Sequence, residues 1–143
     1  MHTSDLDHQT TRSLLDAALT AAESQGMPVA VSIVDRGGHL LGFLRMAGVS
    51  FLAVEVTRRK AVTAAGFGLP TRALAAVAAS DPAVGADLAK NADLCAVGGG
   101  VPIIVGGVCV GGLGVGGGRA EQDHAVAEAA VAHLRQPAAY HAL

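Results

Sequence analysis

One stretch constrains this chain more than any other. It runs from Val97-Gly98-Gly99-Gly100-Val101-Pro102 to Gly116-Gly117-Gly118 and closes on Glu121-Gln122-Asp123. It reads as two short apolar strands with a glycine cluster on either side and a helix straight after. Glycine loses more backbone freedom on folding than any other residue, and it weakens strand interiors. Such density demands a close approach, either of one backbone to another or of a ligand to a backbone.

The rest of the composition agrees with close packing. Of 143 residues, 51% are apolar but only 3% are aromatic, and Trp is absent. The core must be built from Ala, Val, Leu and Ile, and the length suits a single domain. A net charge of −2 offers no basic stripe, and the few aromatics offer no stacking platform, so nucleic acid is not an expected partner. No apolar run is long enough to span a membrane. The opening Met1-His2-Thr3-Ser4-Asp5-Leu6-Asp7 is polar and acidic, unlike a secretory signal. A cytoplasmic location is expected, with Cys95 and Cys109 as buried free thiols.

Thr10 to Gln25 is a helix by the spacing of Leu14, Leu15, Ala18, Leu19 and Ala22, ended by Gly26 and Pro28. Val29 to Asp35 and His39 to Met46 form a hairpin around Asp35-Arg36-Gly37-Gly38. Ser50 caps a helix from Phe51 to Phe67, with Val54, Ala61 and Ala65 facing inward. A short helix spans Thr71 to Ala79. The segment 81–90 reads as loop or short turns, and Leu94 to Val97 as a short strand. Val101 to Val105 and Val108 to Val115 form a second hairpin around Gly106-Gly107. Ala120 to Leu134 is the last helix, with Val126, Ala129, Ala130 and Leu134 on one face. Gln136 to Leu143 is a polar tail. Two local hairpins separated by helices give an α+β fold, a central antiparallel sheet flanked by helices, in one domain over residues 1–143.

Gly112-Leu113-Gly114-Val115-Gly116-Gly117-Gly118 is not a dinucleotide fingerprint, because no βαβ unit and no following acidic strand accompany it. The weaker reading is a set of bare amides from Gly99, Gly100, Gly116, Gly117 and Gly118 at a helix N-terminus, a seat for a carboxylate. The alternative is that these glycines only allow close packing. Arg45, at the end of a strand, is the best cation to clamp that carboxylate. Lys60 is the next, and Thr71 supplies a hydroxyl. Glu121 and Asp123 fit the helix dipole, with Glu121 a candidate proton carrier. His124 is a candidate general base or axial haem ligand. The histidines show no metal-ligand spacing and there is no Cys-x-x-Cys, so no metal site is expected.

Five motifs in order resemble the GlcG/HbpS family, the haem-degrading domain family. They are Val31-Ser32-Ile33-Val34-Asp35-x-Gly37-Gly38-His39-Leu40, Arg45-Met46-x-Gly48, Lys60-Ala61-x-Thr63-Ala64-Ala65-x-Phe67-x-x-Pro70-Thr71, Gly98-Gly99-Gly100-x-Pro102, and Val110-Gly111-x-Leu113-Gly114-Val115-x-Gly117-Gly118-x-x-x-Gln122-Asp123. The resemblance implies profilin-like α/β/α layering, a homo-oligomer, and haem as a candidate cofactor. Two positions depart from the family pattern, Ala47 where an acid is common and Gly116 where a serine is common. Two functions follow. One is an oligomeric binding protein for haem or a carboxylate-bearing small molecule, with Met46, Thr71 and His124 as available iron ligands. The alternative is a cofactor-independent lyase, isomerase or hydrolase. In it Arg45 anchors a carboxylate, the glycine amides stabilise an oxyanion, and Glu121 or His124 moves the proton.

Overall fold

The computed structural model describes residues 5–135. Helix α1 (His8–Ser24) starts where the Asp7 carboxylate accepts the Thr10 N–H at 2.7 Å. Its helical period places Leu14, Ala18 and Ala22 on the core face. Strands β1 (Ala30–Asp35) and β2 (Leu40–Arg45) form the first hairpin. The Asp35 carboxylate accepts N–H groups from Gly37 and His39 and fixes the turn. Three helices follow, α2 (Ala53–Phe67), α3 (Thr71–Ser80) and α4 (Pro82–Lys90). Strands β3 (Gly100–Val105) and β4 (Val108–Gly116) make the second hairpin, and α5 (Ala120–Arg135) ends the described chain.

The two hairpins join through their inner strands, giving an antiparallel sheet in the order β2-β1-β4-β3. Helices α1 and α5 pack on one face and α2 on the other. This is the expected α+β, α/β/α layering. On the α1/α5 face Val31, Ile33, Leu113, Val115 and Val126 interlock with Leu14 and Ala18 in a closed aliphatic core.

The opposite face is built differently. Gly112, Gly114 and Gly116 occupy the alternate positions of β4 that look toward α2. A Cβ on Gly112 would strike the Ala61 carbonyl, and one on Gly114 the Thr57 carbonyl. Gly100 on β3 meets the Lys60 carbonyl in the same way. Helix backbone therefore lies on sheet backbone with no side chain between, which is the close-packing reading of these glycines. The buried Ser32 and Thr57 hydroxyls, 2.7 Å apart, pin the register.

Four local expectations are corrected. Segment 82–90 is a helix, because Asp81 accepts from the Ala83 amide at 3.2 Å and Pro82 stands at its first position. Leu94 to Val97 is not a strand; its backbone is bonded to side chains, with the Cys95 N–H donating to Thr63 and the Val97 carbonyl accepting from Thr71. Helix α2 starts two residues late, since Ser50 holds the Leu52 amide in a preceding turn. That start leaves Val54 exposed and turns Thr57, Lys60, Ala61 and Ala64 inward. On α5, Ala127 rather than Ala129 joins the core beside Val126 and Ala130. The segment 136–143 lies outside the described residues.

Candidate functional site

Lys60 falls on the buried face of α2 because it follows Thr57 by three residues and precedes Ala64 by four. Its ammonium donates to the Val115 carbonyl at 3.0 Å and to Asp123 Oδ2 at 3.2 Å. Asp123 stands in the first turn of α5, and its other oxygen accepts the Gly118 amide at 2.9 Å. Both side chains are 3% exposed. Taking two charges out of water is costly, and it is sustained only when the remaining hydrogen-bonding capacity is met. Burial pushes the Asp123 carboxyl above its ordinary value of 3.8, while Lys60 and the Gly118 amide pull it the other way and do not overcome the burial.

This ion pair lies in the wall of a cavity of about 620 Å³. The loop at Val49, the first turns of α2 at Leu52 and Val56, Val97, and the glycine turn Gly116-Gly117-Gly118 form the rest of its lining. An ammonium has three N–H donors. Two of those on Lys60 are taken, and the third has no partner among the described residues.

The expected site residues divide into three groups. Lys60 and Gly116, Gly117 and Gly118 meet at this cavity. Glu121 and His124 line a separate cavity of about 380 Å³ with Arg72, Ala75, Gly98 and Ala120. Arg45, Thr71, Gly99 and Gly100 line neither. Arg45 is exposed and its guanidinium donates to the Val49 carbonyl, so it latches the loop after β2. The Thr71 hydroxyl donates to the Val97 carbonyl at 2.6 Å and accepts the Gly100 amide at 2.8 Å, which ties α3 to the glycine segment. Gly99, at φ +128°, leaves room for the ammonium: a Cβ there would lie 2.7 Å from Lys60 Nζ.

The seat of bare amides is in part already used. The Gly100 amide is taken by Thr71, the Gly118 amide by Asp123, and Gly116 is paired with Ala30 in the sheet. Asp123 is the cavity residue that sequence reasoning missed, reading it as a helix-dipole charge. Its signal is Lys60: a lysine on the apolar face of a helix must find a carboxylate.

His124 is 5% exposed, and its Nδ1 is sealed without a hydrogen-bond partner. Burial, and then the nearby Arg72, hold its pKa below 6.5, with Glu128 acting the other way. Among the described residues no three His, Cys, Asp or Glu side chains gather as a metal site. No single described helix is long and apolar enough to cross a membrane.

A family model described as haem degrading protein HbpS-like matches residues 6–132. The chain belongs to the HbpS-like family. Over 128 residues this HbpS-like chain is 34% identical to the corrinoid adenosyltransferase PduO of Citrobacter freundii, a match that takes 89% of this chain and 37% of PduO. The chain thus spans well under half of that relative. Among solved structures, a complex of PduOC with haem superposes with a TM-score of 0.81 at 31% identity, over 90% of this chain and 94% of that one. A double mutant of HbpS from Streptomyces reticuli superposes with a TM-score of 0.84 at 32% identity, over 94% of this chain and 90% of that one. The family and the layering that the motifs imply are both met.

Proposed function

We propose that this HbpS-like chain binds a small ligand with an apolar body and at least one carboxylate, haem first among the candidates, in the larger cavity. The observation that carries the reading is Lys60, a buried ammonium in the cavity wall with one N–H to spare. A volume of about 620 Å³ falls in the range of small-molecule pockets. The walls from Val49, Leu52, Val56 and Val97 suit an apolar body, and Lys60 with Arg59 suits its acid groups. The PduOC haem complex makes haem the ligand to try first.

The fit to haem is that of a container with a carboxylate anchor. Of the iron ligands that the sequence offers, Met46 accepts the Val29 N–H through its sulfur, Thr71 is spent on backbone, and His124 faces the other cavity. Cys95, a free thiol, does line the larger cavity. Bound haem would supply an iron centre for redox chemistry, and the chain's own part is to anchor its carboxylates and exclude water. Phe51 and Leu52, 72% and 65% exposed, stand at or beside the mouth. Apolar residues so placed support a homo-oligomer in which a second copy closes it. The free thiols support a cytoplasmic location.

Hemin titration tests the reading. Wild type is expected to give a saturable Soret change at micromolar protein. Val97→Trp, which fills the mouth from a half-exposed position, is expected to abolish it. A wild-type chain that leaves the hemin spectrum unchanged overturns haem as ligand.

Asp123 favours a second reading, a cofactor-independent proton-transfer enzyme on a small carboxylate. Arg45 lies outside the larger cavity and the Gly100 and Gly118 amides are taken, so Lys60 would hold the substrate carboxylate and Asp123 would carry the proton. Solvent deuterium entering the methyl group of pyruvate, faster with wild type than with Asp123→Asn, is the expected sign. Equal rates remove this reading.

A further inference from the structure

The smaller cavity sits between α3 and α5, and the proposed function does not use it. Arg72 and Ala75 of α3 form one wall, Glu121 and His124 of α5 the other, with Gly98 and Ala120 between. Arg72 and Glu121 are exposed, and neither side chain makes a hydrogen bond or ion pair with any described residue. They are opposite charges on one cavity that do not meet each other. His124 is the unusual member. Its side chain is almost wholly buried, yet neither ring nitrogen bonds to a described residue. A buried polar group left unpaired is destabilising. His124 lines a cavity of about 380 Å³, and with Nδ1 sealed it is Nε2 that can meet a molecule there.

The chemistry of the three side chains defines the partner. Arg72 asks for a carboxylate and presents a planar fork of donors to it. Glu121 asks for a cationic N–H group. The Nε2 of a neutral imidazole carries either the N–H or the lone pair, according to the tautomer, so it serves either end of such a molecule. The small wall residues Ala75, Gly98 and Ala120 leave room for a short side chain. We infer that the α3–α5 cavity is a second binding site, separate from the Lys60 cavity, and that it takes a free α-amino acid with a small side chain. Its carboxylate faces Arg72, its ammonium faces Glu121, and the His124 ring closes on it. No bond is made or broken.

The test follows the His124 ring nitrogens by NMR in the full-length, ¹⁵N-labelled protein, assigned with His124→Gln. The probes are glycine, propionate and ethylamine. Glycine is expected to shift the ring signals saturably. Propionate and ethylamine, each lacking one of the two charges, are expected to bind at least about tenfold more weakly, a loss of roughly 1.4 kcal/mol. Arg72→Gln and Glu121→Gln, both at exposed positions, are each expected to bring glycine down to the level of the single-charge probes. The inference is overturned if glycine causes no saturable shift or if the shift is the same in Arg72→Gln. It is equally overturned if the ring signals move with protein concentration and not with glycine, which would make the cavity a contact between copies. Hemin does not enter this readout, so the outcome is independent of the larger cavity's ligand.

Discussion

Lys60 Nζ and Asp123 Oδ2 lie 3.2 Å apart, on helices that pack against opposite faces of the sheet. The lysine comes from α2 and the aspartate from the start of α5, so the pair reaches around the end of β4 and closes on the Val115 carbonyl. It ties the glycine face to the aliphatic face through charge.

Breaking this pair from one side leaves a buried charge with no counter-ion. Lys60→Met and Asp123→Asn are each expected to lower stability by about 3–5 kcal/mol, and the double variant Lys60→Met with Asp123→Leu by clearly less than the sum. Urea denaturation of the four proteins checks this. Additive losses would show that the two groups are not coupled.

The glycines of β4 and Gly66 of α2 should respond in opposite directions. Gly114→Ala puts a methyl group into the Thr57 carbonyl and is expected to cost about 3 kcal/mol or more, or to prevent folding. Gly66, inside α2, has open space around its Cβ position and no left-handed backbone. Gly66→Ala is expected to stabilise by about 0.5–1 kcal/mol. Thermal melts of the two variants decide it.

His124 should write a signature on the pH dependence of stability. Its folded pKa lies below the ordinary 6.5, so the unfolded chain binds more protons in the interval between the two. The contribution is complete above pH 6.5 and drains away as pH falls from there through the folded value. Asp7, Asp35 and Glu55, also lowered, act only below their ordinary values of 3.8 and 4.5. Asp123 is raised, and its contribution has the opposite sign: it is present below 3.8 and lost as pH rises through the folded value. The difference in stability between wild type and His124→Gln is therefore expected to shrink as pH falls below 6.5. A difference that stays constant across that window would contradict it.

Arg45 should matter little to binding. Its one described partner is the Val49 carbonyl, and it does not line the larger cavity. Arg45→Ala is expected to cost about 1 kcal/mol through a looser loop and to leave hemin affinity within error of wild type. A large loss of affinity with an unchanged fold would return Arg45 to the site.

The fold was legible because its signals are local. The apolar spacing of Leu14, Ala18 and Ala22, the turn at Asp35 to Gly38 and the two hairpins determine most of the elements and their order. The helix at 82–90 was not read despite its Asp81-Pro82 start signal, because its apolar face is short and none of its residues is buried. The site was half legible. Lys60 stands out as a lysine among alanines, and the glycines mark close approach. What the chain cannot show is which partner each group meets. Asp123 is 63 residues from Lys60, and only the folded sheet brings them together. Arg45 lies outside both cavities, and its guanidinium donates to a carbonyl four residues away.

The seam where α2 rests on β4 limits how this molecule can diversify. A helix lying on carbonyls through missing side chains has no intermediate settings, because any added atom lifts it and hollows the layer beneath. Variation in what the larger cavity accepts must come from its rim, at Ser50 to Leu52 and at Val97, where side chains already reach water. The floor is common property of the architecture; the doorway is where one member can become different from another.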